Sequence, residues 1–147
     1  MTWYEIDKAR LVLEFLRVKS QYKTFRLKRN DKELFWEGEL IISVGGCDAD
    51  PLQIQVIYRE AFPSIRPTVI VLNPPLDPSE VGHDWHRWAD GSVCYIRPNE
   101  WEISTTADEV IAKTADWYFN YVAVKRALIP SMPEIGRADL SRATQHA

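Results

Sequence analysis

The chain has 147 residues, a length typical of one domain with a single hydrophobic core. Hydrophobic residues make up 46% and charged residues 27%, which favours a soluble globular protein over a disordered one. The net charge of −3 argues against nucleic acid as a partner, because such binding depends on neutralising phosphates. No apolar stretch could span a membrane, and the polar start Met1–Asp7 does not resemble a signal peptide. We therefore expect a cytoplasmic protein without a membrane partner.

Positive charge is concentrated near the N-terminus. Residues 1–32 contain nine Lys and Arg against four Asp and Glu, so the rest of the chain carries a net charge of −8. A basic surface of this kind could dock on an acidic protein. Charge alone favours the simpler interpretation, in which these side chains form the solvated face of a helix.

The first predicted element is a helix. Thr2-x-x-Glu5 is typical of a capping box, and the helix is expected to continue to about Ser20. Its apolar side chains recur at helical spacing and predict the face that packs on a sheet. The predicted stripe is formed by Ile6, Ala9, Leu13 and Leu16, and it is widened by Leu11, Val12, Phe15 and Val18.

Four strands are predicted to follow. The first lies at Phe25–Lys28 and the second at Leu34–Val44, where Gly45-Gly46 ends it. The third has the clearest alternation of apolar and polar residues, and the fourth is a short buried run; they cover 52–59 and 68–72. Because the connections are short, we expect a four-stranded antiparallel meander.

The segment Asn73–Trp101 has no regular pattern and is rich in Pro, Gly, Trp and His. Such long irregular segments inside a compact domain are often functional. A second capping-box pattern at Thr106 predicts a long helix, Thr106–Leu128, which Pro130 ends. The sequence therefore predicts an α+β domain over residues 1–130, followed by a tail, 131–147, with one short helix near 138–144.

Two cysteines are present, Cys47 and Cys94, and a structural disulfide is not expected in a cytoplasmic protein. Cys94 follows the turn Asp90-Gly91, which favours a thiol exposed at a groove. Basic side chains at His83, His86, Arg87 and Arg97 are close enough in sequence to favour the thiolate. From composition alone, a buried inert cysteine is the more common outcome.

Two other interpretations of this segment remain open at the level of sequence. His83, His86 and Cys94 could bind zinc with Asp84 or Cys47 as a fourth ligand, although the spacing matches no common zinc motif. Alternatively, Cys94, His86 and Asp90 could form the triad of a cysteine hydrolase. The nearby tryptophans either line a binding groove or fill the floor beneath the loop; they are Trp85, Trp88 and Trp101.

Several segments, in this order, resemble ubiquitin-conjugating enzymes. Residues 36–42, Trp-Glu-Gly-Glu-Leu-Ile-Ile, are similar to the second strand of that family, and Leu52–Tyr58 stands at its third. Residues 62–69, Phe-Pro-Ser-Ile-Arg-Pro-Thr-Val, resemble its Tyr-Pro-Phe-x-Pro-Pro-x-Val segment. His86, the run Asp90–Cys94 and Trp101 match its His-Pro-Asn, Asn-Gly-x-(Ile/Leu)-Cys and downstream Trp. The resemblance covers roughly residues 3–128.

The resemblance has two departures. His86-Arg87-Trp88 replaces His-Pro-Asn, so the family Asn, which stabilises an oxyanion or orders the loop, is absent. In addition, one long helix replaces two short terminal helices. Both departures are similar to the prokaryotic relatives in antiphage operons of the CBASS type, including operons that encode a cGAS-like nucleotidyltransferase. If another donor replaces the Asn, the candidates are His86, His83 and a backbone N–H.

The resemblance implies a UBC-like fold and a transferase that carries a protein C-terminus as a thioester on Cys94. No cofactor or metal is implied. The implied partners are a protein with a C-terminal carboxyl, either a cGAS-like nucleotidyltransferase or a ubiquitin-like protein, and an activating enzyme where one exists. The candidate catalytic residues are Cys94, His86, His83 and Asp90; those for substrate binding are Trp88, Trp101 and Arg97; those for partner binding are Lys8, Arg10 and Arg17.

Three hypotheses follow. The first is the thioester-forming transferase just described. The second is a catalytically inactive binding module, which the missing Asn favours. The third is a Cys–His hydrolase that removes such conjugates.

Overall fold

A computed structural model describes residues 1–134. The helices are α1 Trp3–Ile6, α2 Lys8–Gln21 and α3 Ala107–Lys125, with short 3₁₀ turns at Pro78–Glu80 and Pro98–Glu100. The strands are β1 Arg26–Arg29, β2 Leu34–Leu40, β3 Ser43–Val44, β4 Cys47–Asp48, β5 Leu52–Ile57, β6 Thr68–Asn73 and β7 Ser92–Val93. The helix predicted near 138–144 lies outside the described residues.

The main sheet has five strands in the order β1-β2-β5-β6-β7, and every neighbouring pair is antiparallel. The α+β class is therefore confirmed, but the sheet is not the predicted four-stranded meander. Ser92–Val93 adds an edge strand beside β6, which the irregular sequence around it did not predict. The predicted strand Leu34–Val44 is also wrong in its end, because it stops at Leu40 and Ser43–Val44 turns back at Gly45-Gly46 to pair with β4.

The predicted N-terminal helix is divided into two. The capping box is confirmed, since the Thr2 side chain accepts from the Glu5 amide and the Glu5 carboxylate accepts from the Thr2 amide. The helix breaks at Asp7, whose side chain accepts a hydrogen bond from the Arg10 amide at 3.0 Å. An aspartate that caps a new helix competes with continuation of the old one, and this explains the break.

Most of the predicted buried stripe of this helix was wrong, because its side chains are exposed. The exposed fractions of Ile6, Leu13 and Leu16 are 70%, 45% and 60%. Val18 is buried as predicted, and the other buried position of α2 is Glu14, which the apolar pattern did not include. The Glu14 carboxylate accepts hydrogen bonds from the Tyr58 hydroxyl at 2.7 Å and from the Ala107 amide at 2.8 Å. The face of α2 that points inward is therefore set by the hydrogen-bond partners of a buried carboxylate, which are distant in sequence.

The core lies between the sheet and α3. Trp36, Ile54 and Val69 from three adjacent strands are fully buried. Helix α3 covers them and buries eleven of its own residues, including Trp117 and Tyr118. The chain between β6 and α3 runs over this core and carries the residues that the sequence selected as a site.

Candidate active site

Cys94 follows directly after the edge strand β7. Its amide donates a hydrogen bond to the His86 carbonyl at 2.8 Å, and its thiol donates to the Ile96 carbonyl, with Sγ at 3.4 Å from that oxygen. The side chain is neither buried nor fully exposed, whereas Cys47 lies exposed in β4. The backbone of Cys94 is therefore fixed on the sheet edge while its sulphur remains partly accessible, which is what a nucleophilic thiol requires.

A tight turn delivers the chain from His86 back to Cys94. The Trp88 amide donates to the Ser92 carbonyl at 2.9 Å, and Gly91 has a φ of 88°, which only glycine adopts without strain. Asp90 accepts hydrogen bonds from the Ser92 amide and hydroxyl, and these bonds lower the pKa of its carboxyl below the ordinary value. The contacts of Asp90 are therefore those of a turn residue.

His86 lies at the centre of the site. It has a φ of 53°, an unusual conformation for a residue with a side chain. Its carbonyl accepts the Cys94 amide, and its ring Nε2 lies 3.0 Å from the Pro133 carbonyl oxygen. Beside it is an open groove of about 410 Å³, lined by His83, Asp84, Trp85, His86, Val124, Pro130, Ser131, Met132 and Glu134.

His83 and Trp88 contact each other. Their ring centroids are 5.0 Å apart and the rings are nearly perpendicular, at 87°. His83 is exposed and Trp88 is half-buried. Trp88, which the resemblance aligns with the asparagine of ubiquitin-conjugating enzymes, is therefore paired with a second aromatic ring.

Arg87 is the residue whose surroundings the sequence did not reveal. It was expected beside the thiol, but its side chain is fully buried and points away from solvent. One guanidinium nitrogen donates to the Pro74 carbonyl at 2.9 Å, and the guanidinium carbon lies 5.9 Å from the Trp117 ring centroid. Burial lowers the pKa of Arg87, and the hydroxyl of Tyr121 and the carboxylate of Glu80 oppose that shift.

Glu80 joins the loop to helix α3. Its buried carboxylate accepts hydrogen bonds from the Tyr121 hydroxyl and the Lys125 ammonium. The Trp117 indole N–H also donates to the Trp85 carbonyl at 2.9 Å. These contacts and Arg87 hold the loop on α3. The only sequence signal for them was a loop unusually rich in large and charged residues beside an aromatic helix.

The two other predicted substrate-binding residues differ in exposure. Trp101 is half-buried, donates its indole N–H to the Pro63 carbonyl at 2.8 Å and packs near Phe62. Arg97 is 45% exposed and forms ion pairs with Glu100 at 3.5 Å and Glu134 at 3.4 Å. Trp101 thus forms part of the floor under the loop, and Arg97 lies on its rim.

The predicted partner-binding residues lie on α2. Lys8 is exposed. Arg10 is largely buried and binds Glu14 and the carbonyls of Ile103 and Thr105. Arg17 pairs with both oxygens of Asp108. Two of the three cations therefore join α2 to the start of α3, and their role toward a partner stays a prediction.

Across residues 1–134, no three His, Cys, Asp or Glu side chains are grouped closely enough to hold a metal ion. The zinc interpretation of His83, His86 and Cys94 is therefore not supported there. In the same part of the chain, no helix is both long and apolar enough to cross a membrane.

Cys94 thus lies partly accessible beside the edge strand of an α+β domain, in a segment that is also joined to a long helix. A sequence model of the family described as type II CBASS E2 protein matches residues 14–125, more than half of the chain. The chain therefore belongs to the type II CBASS E2 family, whose role is E2-like and lies in antiphage defence. A comparison with curated proteins gave no match.

Proposed function

We propose that this protein is a thioester-forming transferase, and that Cys94 is its nucleophile. The observation that carries the proposal is the placement of Cys94: its amide is fixed to the His86 carbonyl at 2.8 Å and its sulphur is partly accessible. The order of strands, loop and helix around it fits a UBC-like arrangement. A thiol held in this way can accept an acyl group without a cofactor.

The proposed reaction has two steps. In the first, the Cys94 sulphur attacks an activated C-terminal carbonyl of a protein, a carbon–sulphur bond forms, the bond between the carbonyl carbon and its activating group breaks, and the thiol proton leaves with that group. In the second, a nucleophile such as a lysine amine attacks the thioester, the carbon–sulphur bond breaks, and the thiol is regenerated when the proton of the amine returns to sulphur. The activated donor supplies the energy, so neither step needs an oxidant or a metal.

The proposed partners are proteins. The carried protein has a free C-terminal carboxyl and is either a cGAS-like nucleotidyltransferase or a ubiquitin-like protein; an activating enzyme supplies it where one exists. We place docking on α2, because Lys8 and the apolar side chains Val12 and Leu16 are exposed there. Exposed apolar side chains grouped on one helix are typical of protein interfaces.

The second step has to proceed without the asparagine that ubiquitin-conjugating enzymes have. Trp88 offers one indole N–H, whereas an asparagine amide offers two donors. His83, which packs against Trp88, is a further donor, whereas the amides of Ser92 and Cys94 already donate to Asp90 and to the His86 carbonyl. We propose that His83 and Asp90 support the site indirectly. His83 packs against Trp88, and Asp90 stabilises the turn that leads to Cys94.

The test is the covalent state of the protein purified from cells that express its own operon. Wild type is expected to carry an adduct that thiols release, and Cys94→Ser to carry one that thiols do not release, because an ester replaces the thioester. Cys94→Ala is expected to carry nothing. Intact mass measurement identifies the carried protein, and an unchanged adduct on Cys94→Ala would refute the proposal.

A second candidate function is a binding module that keeps the fold without catalysis. The observation that favours it is the aromatic pair His83–Trp88 at the position of the family asparagine. It predicts that Cys94→Ala protects cells against phage as well as wild type does. The hydrolase hypothesis has less support, because the thiol of the unmodified protein donates to the Ile96 carbonyl and is therefore not activated by a histidine base.

A further inference from the structure

The segment that follows α3 turns back over the part of the chain between β6 and α3 that carries His86 and Cys94. Ile129 and Met132 pack against the hydrophobic core, and both are partly buried. Pro133 and Glu134 then contact the loop on both sides of Cys94: the Pro133 carbonyl meets the His86 ring, and Glu134 pairs with Arg97. The sequence predicted only a tail after residue 130. We name the residues Ile129–Glu134 the C-terminal strap.

The contact between the strap and His86 fixes the position of a proton. A carbonyl oxygen can only accept a hydrogen bond, so the Nε2 atom that lies 3.0 Å from the Pro133 oxygen must carry the hydrogen. In the neutral imidazole the other ring nitrogen, Nδ1, is then an acceptor with a free lone pair. The neutral His86 ring therefore has no second N–H to offer to an oxyanion.

The backbone of His86 supports a special role for this residue. A φ of 53° costs free energy for a residue with a side chain, and such conformations are common at active sites. The same residue accepts the Cys94 amide through its carbonyl, so the position of its ring is tied to the position of the nucleophile. The strap thus contacts His86, the residue whose carbonyl accepts the Cys94 amide.

We propose that the C-terminal strap is a wall of the catalytic site and that the Pro133 carbonyl is a positioning group for His86. It holds the ring with hydrogen on Nε2, so that Nδ1 accepts a proton when the Cys94 thioester is discharged. This inference rests on the proposed thioester function only for the discharge step. The arrangement of the ring is a property of the unmodified protein.

The proton balance of the discharge step is simple. As the amine attacks the thioester carbonyl, its proton moves to Nδ1 of His86 and the carbon–sulphur bond breaks. The Cys94 thiolate then takes the proton from Nδ1, which restores both groups. General base catalysis of this kind contributes about 10²–10⁴-fold to a rate.

Polar and charged side chains surround the His86 ring. His83 and Asp84 line the same groove from the loop, Glu134 lines it from the strap, and Arg97 pairs with Glu134; α3 contributes the apolar Val124.

The first measurement is the tautomer of His86 by nitrogen-15 NMR on the full chain. The protein has only three histidines, and loss of one signal set in His86→Gln assigns that residue. We expect the neutral ring to carry its hydrogen on Nε2, with Nδ1 unprotonated. Hydrogen on Nδ1 would overturn the inference whether or not Cys94 carries an acyl group.

The second measurement releases the strap without shortening the chain. In Ile129→Ser combined with Met132→Ser, loss of the two apolar anchors is expected to mix the tautomers of His86. It is also expected to slow discharge roughly 10- to 100-fold, because misplacement of a catalytic group has effects of this size. Loading of Cys94 in the same variant is expected to change less. Discharge at the wild-type rate, with the strap shown to be released, would overturn the positioning role.

Two further variants keep the test decisive. Met132→Leu preserves the apolar anchor and, as the conservative variant, is expected to keep both the tautomer and the discharge rate. If the double variant does not fold, His86→Gln replaces it: this side chain still donates to Pro133 but cannot accept the proton, so slow discharge with normal loading is expected. If His86 carries its hydrogen on Nε2 but Cys94 never carries a thioester, the role of the strap in positioning His86 stands and the proposed transferase function is refuted.

Discussion

Helices α2 and α3 both start at a polar cap and both contain apolar residues at helical spacing, yet they use them in opposite ways. Helix α3 buries eleven residues, including Trp117 and Tyr121. Helix α2 buries only Glu14 and Val18, and it leaves Val12 and Leu16 more than half exposed. Apolar periodicity therefore identifies a helix and a face, but the contacts made by the rest of the chain decide whether that face meets the core or a partner.

The contacts of the two helices explain the difference. Helix α3 lies across the sheet and gains its stability from apolar burial, with Trp117, Tyr118 and Tyr121 stacked along it. Helix α2 buries fewer residues, and polar contacts such as Arg17 with Asp108 at 3.1 Å also join it to α3. Helix α3 is therefore part of the core, whereas helix α2 packs against it and keeps apolar side chains exposed to solvent.

The largest expected effect is the loss of a core side chain from α3. Trp117→Ala removes a nearly fully buried ring that also donates to Trp85, and we expect it to lower the free energy of unfolding by about 3–5 kcal/mol. Urea titration measures this value. The matched control is Leu16→Ala on α2, which is expected to change stability by less than about 0.5 kcal/mol. Equal losses for the two variants would contradict the contrast between the helices.

A smaller loss is expected from the polar attachment of α2. Glu14→Ala leaves the Tyr58 hydroxyl and the Ala107 amide without their acceptor, and unsatisfied buried groups cost about 1–3 kcal/mol. Glu14→Gln keeps an acceptor oxygen and is expected to lose less. The same urea titration distinguishes the two variants. An Ala variant as stable as wild type would show that α2 does not depend on this carboxylate.

The sequence predicted α3 well for reasons that are local. Its start at Thr106 is confirmed by the Glu109 carboxylate, which accepts from the Thr106 amide at 3.1 Å, and Val110, Trp117 and Tyr121 are buried as expected. Its predicted end at Leu128 was wrong, because the helix ends at Lys125 and Leu128 is 55% exposed. The inward face of α2 could not be predicted in the same way. It depends on Glu14, whose partners Tyr58 and Ala107 lie 44 and 93 residues away.

The candidate site likewise has one part that the sequence predicts and another part that depends on contacts distant in sequence. Cys94 was selected from a short pattern and from family resemblance, and the structure places it at the end of an edge strand. The surroundings of His86 were not predictable, because its ring contacts Pro133, 47 residues later, in a segment that the sequence described only as a tail. The burial of Arg87 likewise depends on Trp117 and on the Pro74 carbonyl.

The exposed face of α2 provides the third prediction. Leu16→Ser combined with Lys8→Glu is expected to leave stability within about 1 kcal/mol of wild type, because both side chains face solvent. Binding to the protein identified as the Cys94 adduct is expected to weaken by about fivefold or more, as for side chains that matter at an interface. Calorimetric titration measures it. The control is Ile41→Ser, which removes an apolar side chain of similar exposure (57%) outside α2 and is expected to leave binding unchanged.

The smallest expected effect is a pH dependence of the attachment of α2. Burial raises the pKa of Glu14 above its ordinary value of 4.5, and hydrogen bonds from Tyr58, Ala107 and Arg10 only partly oppose this. The folded state therefore binds a proton at this carboxyl more readily than the unfolded state does. Its contribution to stability is most favourable below pH 4.5 and is lost as pH rises through the folded-state pKa.

Glu14→Gln carries no charge at this position, so it isolates the effect. The free energy of unfolding of wild type minus that of Glu14→Gln is expected to fall as pH rises from 4.5 through the folded-state pKa of Glu14, and to be level above that pKa. Urea titrations at several pH values measure this difference. A difference that grows with pH would mean that the Arg10 ion pair, at 3.1 Å, outweighs the cost of burying the carboxylate. In that case α2 would be attached by charge, and raising the salt concentration would weaken its contact with α3 while leaving the apolar packing of α3 on the sheet unchanged.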